Sequence, residues 1–281
     1  EPHPVYLGPE FTQLLDEVNV EHGVALIGRM GFTDEPVVIE EERHTRVSLP
    51  GSAKTLGVEW HSSKHEADVV VSNVDVSLTY PNLLGDETAR QLVRYRGLEP
   101  SSSGLVFYWG VNRTFPELTV NNIFFSDDYP AEFRSLFDER RCPDDPTIYI
   151  NITSKVTADD APPNGENWFV LVNAPAVDGQ EWARETERTR STVLRRLSGT
   201  LGVDVESVID TEGVMTPEDI ERKTGSYRGA LYGIASNTRL ASFARHPNRS
   251  REYPGLYFCG GSAHPGGGMP LVLLSGKIVA D

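Results

Sequence analysis

No GxGxxG occurs anywhere in the 281 residues of this chain, so it lacks the glycine fingerprint through which a strand, turn and helix admit a dinucleotide pyrophosphate. The nearest glycine pairs, Gly28 with Gly31 and Gly229 with Gly233, have the wrong spacing. Cysteine is nearly absent as well. Cys142 and Cys259 alone give no disulfide framework, and a reducing cytoplasm is the expected compartment. No run of about twenty apolar residues is present, which argues against a helical membrane span. The N-terminal stretch is acidic and contains several prolines, unlike a secretory signal; the sequons at Asn112, Asn151 and Asn248 are therefore read as chance. Lysine is scarce: 26 basic residues, five of them lysine, face 41 acidic ones for a net charge of −15. Such a balance excludes nucleic acid as a partner, because phosphate binding rests on Lys and Arg. A lysine-poor acidic surface suits a salt-rich cytoplasm, with an ordinary acidic protein as the plain alternative.

What is present suffices for one large or two smaller domains, since 38% of the residues are hydrophobic and the length allows a sizeable core. Residues 69–76 form a nearly continuous β-branched run, expected as a strand buried on both faces. A polar helix is expected at 86–96 and an aromatic strand at 104–111. Further strands at 122–125, 147–153 and 168–173 suggest an antiparallel sheet with helices on one side. Residues 180–201 read as a long charged helix touching the core through Trp182, Val193, Leu194 and Leu197. Thr216 suits an N-cap, with Pro217 first in the helix and Asp219 third, a variant of the capping box. His61 and His65 are four apart, but they sit in a polar connection with no third ligand, so no metal is expected.

The most informative segment is GLYFCGGSAHPGGGMPLVLLS at 255–275. An apolar strand leads into glycines where the backbone must turn, and Pro270 then opens an apolar, helix-compatible run. The free N–H groups of such a helix start favour an anion or an electron-rich oxygen, and glycines let a flat ligand approach the backbone. Within this segment the pattern GxxxHPGxGxP, followed by LLSGK, closely resembles the C-terminal signature of the bacterial phytoene desaturases, FAD-dependent carotenoid desaturases of the amine-oxidase-like superfamily. EADVVVSNVD at 66–75 looks like that family's acidic strand running toward the flavin. TPEDI at 216–220 and GSYRGALYG at 225–233 look like its TPxD helix and the glycine-rich segment after it. The resemblance covers residues 56–281 and is poor upstream.

That resemblance implies an α/β fold: an α+β substrate domain, with an antiparallel sheet and helices, inserted into part of an FAD-binding Rossmann-like domain. Residues 78–245 would form the substrate domain, 49–77 and 246–281 the partial flavin domain, and 1–48 stay unassigned. FAD is the implied cofactor. Gly260 and Gly261 would pass its ribityl and phosphate region, Gly268, Met269, Pro270 and Leu271 would approach the ring, and Ser72 and Asn73 would feed the same site. The missing GxGxxG makes the chain read as the C-terminal piece of a longer enzyme, inactive by itself. A carotene such as phytoene would lose a hydride to the flavin and a proton from a neighbouring carbon, with oxygen or a quinone reoxidising the cofactor. A lipid-soluble substrate implies a cytoplasmic enzyme peripheral to the membrane surface. His264 is a weak candidate for proton transfer; the structural reading, in which its ring fixes the turn, is preferred. Phe107, Tyr108 and Trp109 could line a polyene tunnel, although core packing is the default for such a strand. Hydroxycarotenoid desaturases, carotenoid isomerases and retinol saturases share the signature. A non-catalytic binding module is the alternative of another class.

Overall fold

The computed structural model describes residues 69–237 and 245–281, together with the backbone of five strands upstream. Those strands are β1 (Ala25–Gly28), β2 (Val37–Ile39), β3 (Thr45–Ser48), β4 (Leu56–Trp60) and β5 (Ser63–Ala67). The side chains of His61 and His65 lie outside the described residues. The valine run forms β6 (Val69–Ser72), which ends earlier than the sequence suggested. Asp75 is the reason: its carboxylate accepts from Ser77 N at 2.8 Å and Ser77 Oγ at 2.7 Å, starting α1 (Val76–Leu78), which runs on through a π turn over Thr79–Leu83. Nor is β6 buried on both faces; Val70 and Ser72 are buried while Val69 and Val71 are half-buried. The polar helix also proves shorter. Asp86 accepts from Thr88 N and Oγ1, both at 2.8 Å, and this turn delays α2 to Arg90–Arg96.

Beyond α2 come β7 (Ser103–Val111), β8 (Asn121–Phe124), α3 (Tyr129–Phe137), β9 (Ile148–Asn151), β10 (Glu166–Ala174), α4 (Trp182–Leu201), β11 (Ile209–Met215) and α5 (Pro217–Thr224). The chain then closes with β12 (Leu256–Phe258) and α6 (Met269–Ala280). The four expected strands of this middle region are all present, with ends shifted by one or two residues. The capping box forms as expected, Thr216 Oγ1 accepting from Asp219 N at 3.2 Å and Asp219 Oδ2 accepting from Thr216 N at 3.0 Å. No helix among the described residues is long and apolar enough to cross a membrane.

Contacts divide the chain into two units, one of Glu1–Glu99, Lys223–Tyr227 and Tyr232–Asp281, the other of Pro100–Arg222 and Arg228–Leu231. In the second unit, five strands form an antiparallel sheet in the order β11-β7-β10-β9-β8. Its first face buries Leu105, Phe107, Trp109, Ile148, Ile150, Trp168, Val170 and Val172 against Trp182, Val193, Leu194 and Leu197 of α4. Each large side chain taken out of water there contributes roughly 2–3 kcal/mol before entropy is counted. One charge sits in this core with full compensation. Glu166 accepts from Phe115 N at 2.9 Å and Trp168 Nε1 at 2.8 Å and pairs with Lys155 Nζ at 2.6 Å.

The first unit holds a sheet of order β12-β6-β1-β2 and a three-stranded meander β3-β4-β5. Here β12 runs parallel to β6, with Leu256 opposite Val70 and Phe258 opposite Ser72. Parallel neighbours need a crossover connection, and in this chain the whole second unit lies within it.

Candidate cofactor turn and substrate face

Both neighbouring strands end at one place, where Cys259 N donates to Ser72 O at 3.0 Å. Gly260 follows with φ +100°, and a Cβ there would overlap Asn73 Oδ1. This position demands glycine for its backbone as well as for the close approach. Ser262 Oγ accepts from Val76 N at 3.2 Å, fixing the turn to the start of α1. A Cβ on Gly261 would lie 3.8 Å from Gly267 Cα, so the two glycine clusters pack on each other. The sequence-selected residues Ser72, Asn73, Gly260 and Gly261 therefore converge. Gly268, Met269, Pro270 and Leu271 follow directly at the start of α6, where Gly268 O accepts from Leu271 N at 3.0 Å and Val272 N at 2.9 Å.

His264 does not fix the turn through its ring. Its side chain is exposed, and the ring makes no hydrogen bond among the described residues. The backbone does the fixing: His264 N donates to His246 O at 2.8 Å, and His264 O accepts from Asn248 Nδ2 at 2.7 Å. Asn248 also bonds Phe258 O at 3.1 Å and Ser275 Oγ at 3.1 Å, joining β12, the turn and α6 through one amide. His246 is buried, with Nδ1 2.8 Å from Pro247 O and Nε2 3.0 Å from the Tyr80 hydroxyl. Burial pushes its pKa down to about 4. It is therefore a neutral structural imidazole.

Arg245 completes the brace. Its Nη1 donates to Tyr232 O at 2.8 Å and reaches Gly261 O at 3.4 Å, and Nη2 donates to Ser236 Oγ at 3.0 Å. A Cβ on Gly266 would stand 2.5 Å from Arg245 Nε, so the arginine in this place requires glycine there. Sequence reasoning passed over Arg245 and His246, which precede the glycine motif and carry no pattern of their own, and read Asn248 only as a chance sequon. Both thiols are inert at neutral pH, since burial pushes Cys142 and Cys259 up to about 12.

A flavin fits what these residues leave. Gly268, at φ +97°, has no atom within 4 Å of where a Cβ would be, so the backbone at the start of α6 can be approached by a flat ring. Met269 is 83% exposed and Leu271 41%, giving an apolar rim beside the free end of the helix. The hydroxyl of Tyr95 is buried with no hydrogen-bond partner and stands 3.1 Å from the place a Cβ would take on Gly233. An orphaned donor of this kind at a turn calls for a ligand group or water.

The second unit offers a separate surface. The alternate residues of its sheet, at positions 104, 106, 108 and 110, 167, 169, 171 and 173, 149 and 151, 121 and 123, and 211, 213 and 215, point away from the first-face core. None of these residues is charged, in a chain that is 24% charged. An aromatic row crosses three strands: Tyr108 and Phe169 meet edge to face at 5.6 Å, and Phe169 and Tyr149 at 6.3 Å. Phe107 and Trp109 are core, whereas Tyr108 is 40% exposed, so the expected aromatic strand divides between packing and surface. At the far edge Tyr149 Oη and Asn151 Nδ2 both donate to Asn121 Oδ1, at 2.7 and 3.0 Å.

Comparison with known proteins places this architecture. No family model matches the chain. A crystallised oxidoreductase from Methanosarcina mazei superposes with a TM-score of 0.51 at 16% identity, over 84% of this chain and 47% of that one. The likeness defines the fold: a mixed helix and sheet architecture shared with an oxidoreductase. Curated relatives are much nearer in sequence. A 1-hydroxycarotenoid 3,4-desaturase of Flavobacterium sp. (strain P99-3) is 48% identical over 228 residues, covering 81% of this chain and 46% of the relative. A 4,4'-diaponeurosporene oxygenase of Staphylococcus aureus (strain MRSA252) is 39% identical over 217 residues, covering 77% of this chain and 44% of the relative. The chain belongs to the carotenoid desaturase family and spans about half the length of the curated relatives it matches.

Proposed function

We propose that this chain supplies the substrate-binding part and one wall of the FAD site of a carotenoid desaturase, with the pyrophosphate held by a dinucleotide segment that these residues do not encode. The observation that carries the proposal is the glycine turn with its open approach at Gly268, in a chain 48% identical to a hydroxycarotenoid desaturase. The first unit is then the flavin side and the second the substrate side. FAD, when bound, supplies the hydride acceptor for removal of an allylic hydrogen, and a proton leaves from the adjacent carbon.

The protein's own residues position and shield. Gly260 and Gly261 give the cofactor access to the backbone, with Ser72 and Asn73 at the edge of the same turn. Gly268, Met269, Pro270 and Leu271 present a helix N-terminus, whose dipole favours electron-rich groups, behind an apolar rim. The uncharged sheet face offers a long neutral polyene aromatic and aliphatic contacts without desolvating any ion. Asn121, Asn151 and Tyr149 add neutral hydrogen-bonding groups at one end of that face. Together with the first relative's name, they favour a carotenoid bearing a terminal hydroxyl over phytoene itself. Such a substrate dissolves in lipid, so the enzyme works on the cytoplasmic side, peripheral to the membrane, with a quinone or oxygen reoxidising the cofactor.

The test is expression of the protein together with its dinucleotide-binding segment in a host that accumulates acyclic carotenoids, with and without a hydroxylating enzyme. Chromatography should show pigments with longer conjugation, most from the hydroxylated pool. Unchanged pigments in both hosts, with flavin bound, would contradict the desaturase reading.

A further inference from the structure

We propose that Arg245 sets the charge of the cofactor turn, its guanidinium stabilising the negative charge that a bound flavin gains on reduction. The inference rests on the FAD reading above and assigns that site its electrostatic residue. From position 256 to 276 the sequence has no charged residue. Arg245 is the one charged side chain hydrogen-bonded to that segment among the described residues, through Gly261 O. Its three acceptors, Tyr232 O, Gly261 O and Ser236 Oγ, are all neutral. Among the described residues it makes no ion pair, although acidic residues outnumber basic ones by 41 to 26. Fourteen ion pairs among the described residues show how readily arginine and lysine find carboxylates in this protein.

A half-buried guanidinium without a counter-ion loses hydration and regains only neutral hydrogen bonds. Burial accordingly pulls its pKa down from the usual arginine value. The charge is retained at a fixed place: Gly266 has given up its side chain where the guanidinium lies. Such a local cost is expected where function requires it. Desaturation supplies the requirement. The substrate's C–H bond leaves with both electrons as hydride, a second hydrogen leaves as a proton, and a C=C bond forms. The cofactor has then gained two electrons and one proton, a net negative charge. A cation fixed against its turn lowers the energy of that state more than of the neutral oxidised one, which is how a protein tunes a flavin.

The test uses Arg245→Gln and Arg245→Lys in the FAD-loaded protein carrying its dinucleotide-binding segment. Midpoint potential is read by dye equilibration, oxidised FAD affinity by fluorescence titration, and folding by thermal melting. In Arg245→Gln, the reduced cofactor should bind about tenfold more weakly relative to the oxidised one, a potential about 30 mV lower for a two-electron couple. Arg245→Lys should recover most of that shift. Gly266→Ala gives an independent arm should the glutamine variant not fold, because its Cβ displaces the guanidinium while keeping the charge; it should lower the potential in the same direction. An unchanged potential with only lowered melting or lowered oxidised FAD affinity would make Arg245 a brace and overturn the proposal. If the wild-type protein binds no FAD even when joined to its dinucleotide-binding segment, the flavin reading itself fails and this inference with it.

Discussion

Acid should loosen the cofactor turn through one imidazole. His246 ties the chain to the turn through its backbone, accepting from His264 N at 2.8 Å, while its ring is buried between Tyr80 and Phe258. Burial lowers its pKa from 6.5 to about 4, and the unfolded chain keeps the higher value. Between those values the unfolded state binds more protons, so stability is complete above about pH 6.5 and falls as pH drops toward 4. Each pH unit is worth about 1.4 kcal/mol per proton, so this residue removes about 2 kcal/mol by pH 5 and about 3 kcal/mol by pH 4. Urea unfolding followed by tryptophan fluorescence, run at neutral pH and near pH 5, measures the loss. Carboxylates and the other histidines contribute their own slopes. The diagnostic is therefore the difference from His246→Gln, which should be less stable than wild type at neutral pH and lose less on acidification. Parallel pH profiles for the two proteins, or a His246 imidazole titrating near 6.5 by NMR, would refute the assignment of a neutral structural histidine.

Other perturbations separate the turn, the core and the substrate face. Gly260→Ala should destabilise by about 1–3 kcal/mol from its positive φ and weaken FAD binding; adding Asn73→Ala relieves only the overlap with Asn73 Oδ1, so a full rescue in urea melts would show that backbone strain is absent. Lys155→Met leaves Glu166 buried without its cation and should cost about 3 kcal/mol, whereas an unchanged midpoint would mean that Phe115 N and Trp168 Nε1 alone satisfy the carboxylate. Tyr108→Asp places a charge on the uncharged face; melting should change little because Tyr108 is already 40% exposed. Carotenoid turnover should fall at least tenfold, and normal turnover would remove that face from the substrate path.

The sequence announced the cofactor turn most clearly, because its glycines are dictated by local geometry. Gly260 and Gly268 stand at positive φ, and the apolar strand before them pairs as written. The antiparallel sheet and α4 were also legible from periodicity, with Trp182, Val193, Leu194 and Leu197 all buried. Two kinds of information were not. The stop of β6 depends on Asp75 capping α1, which a run of valines hides. The brace of Arg245, His246 and Asn248 is tertiary: each acts through backbone carbonyls or neutral side chains distant in sequence, as far as Tyr80 from His246, and single-sequence patterns carry no record of such contacts. The uncharged sheet face was half visible, since strand alternation separates Tyr108 from Phe107 and Trp109 only once the core side is known.

The most direct measurement is a single turnover under anaerobic conditions, mixing the FAD-loaded protein, joined to its dinucleotide-binding segment, with a hydroxylated acyclic carotenoid and recording the spectrum. The account predicts loss of the oxidised flavin band together with a red shift of the polyene, one new double bond for each cofactor reduced. A flavin that stays oxidised beside an unchanged carotenoid would contradict it.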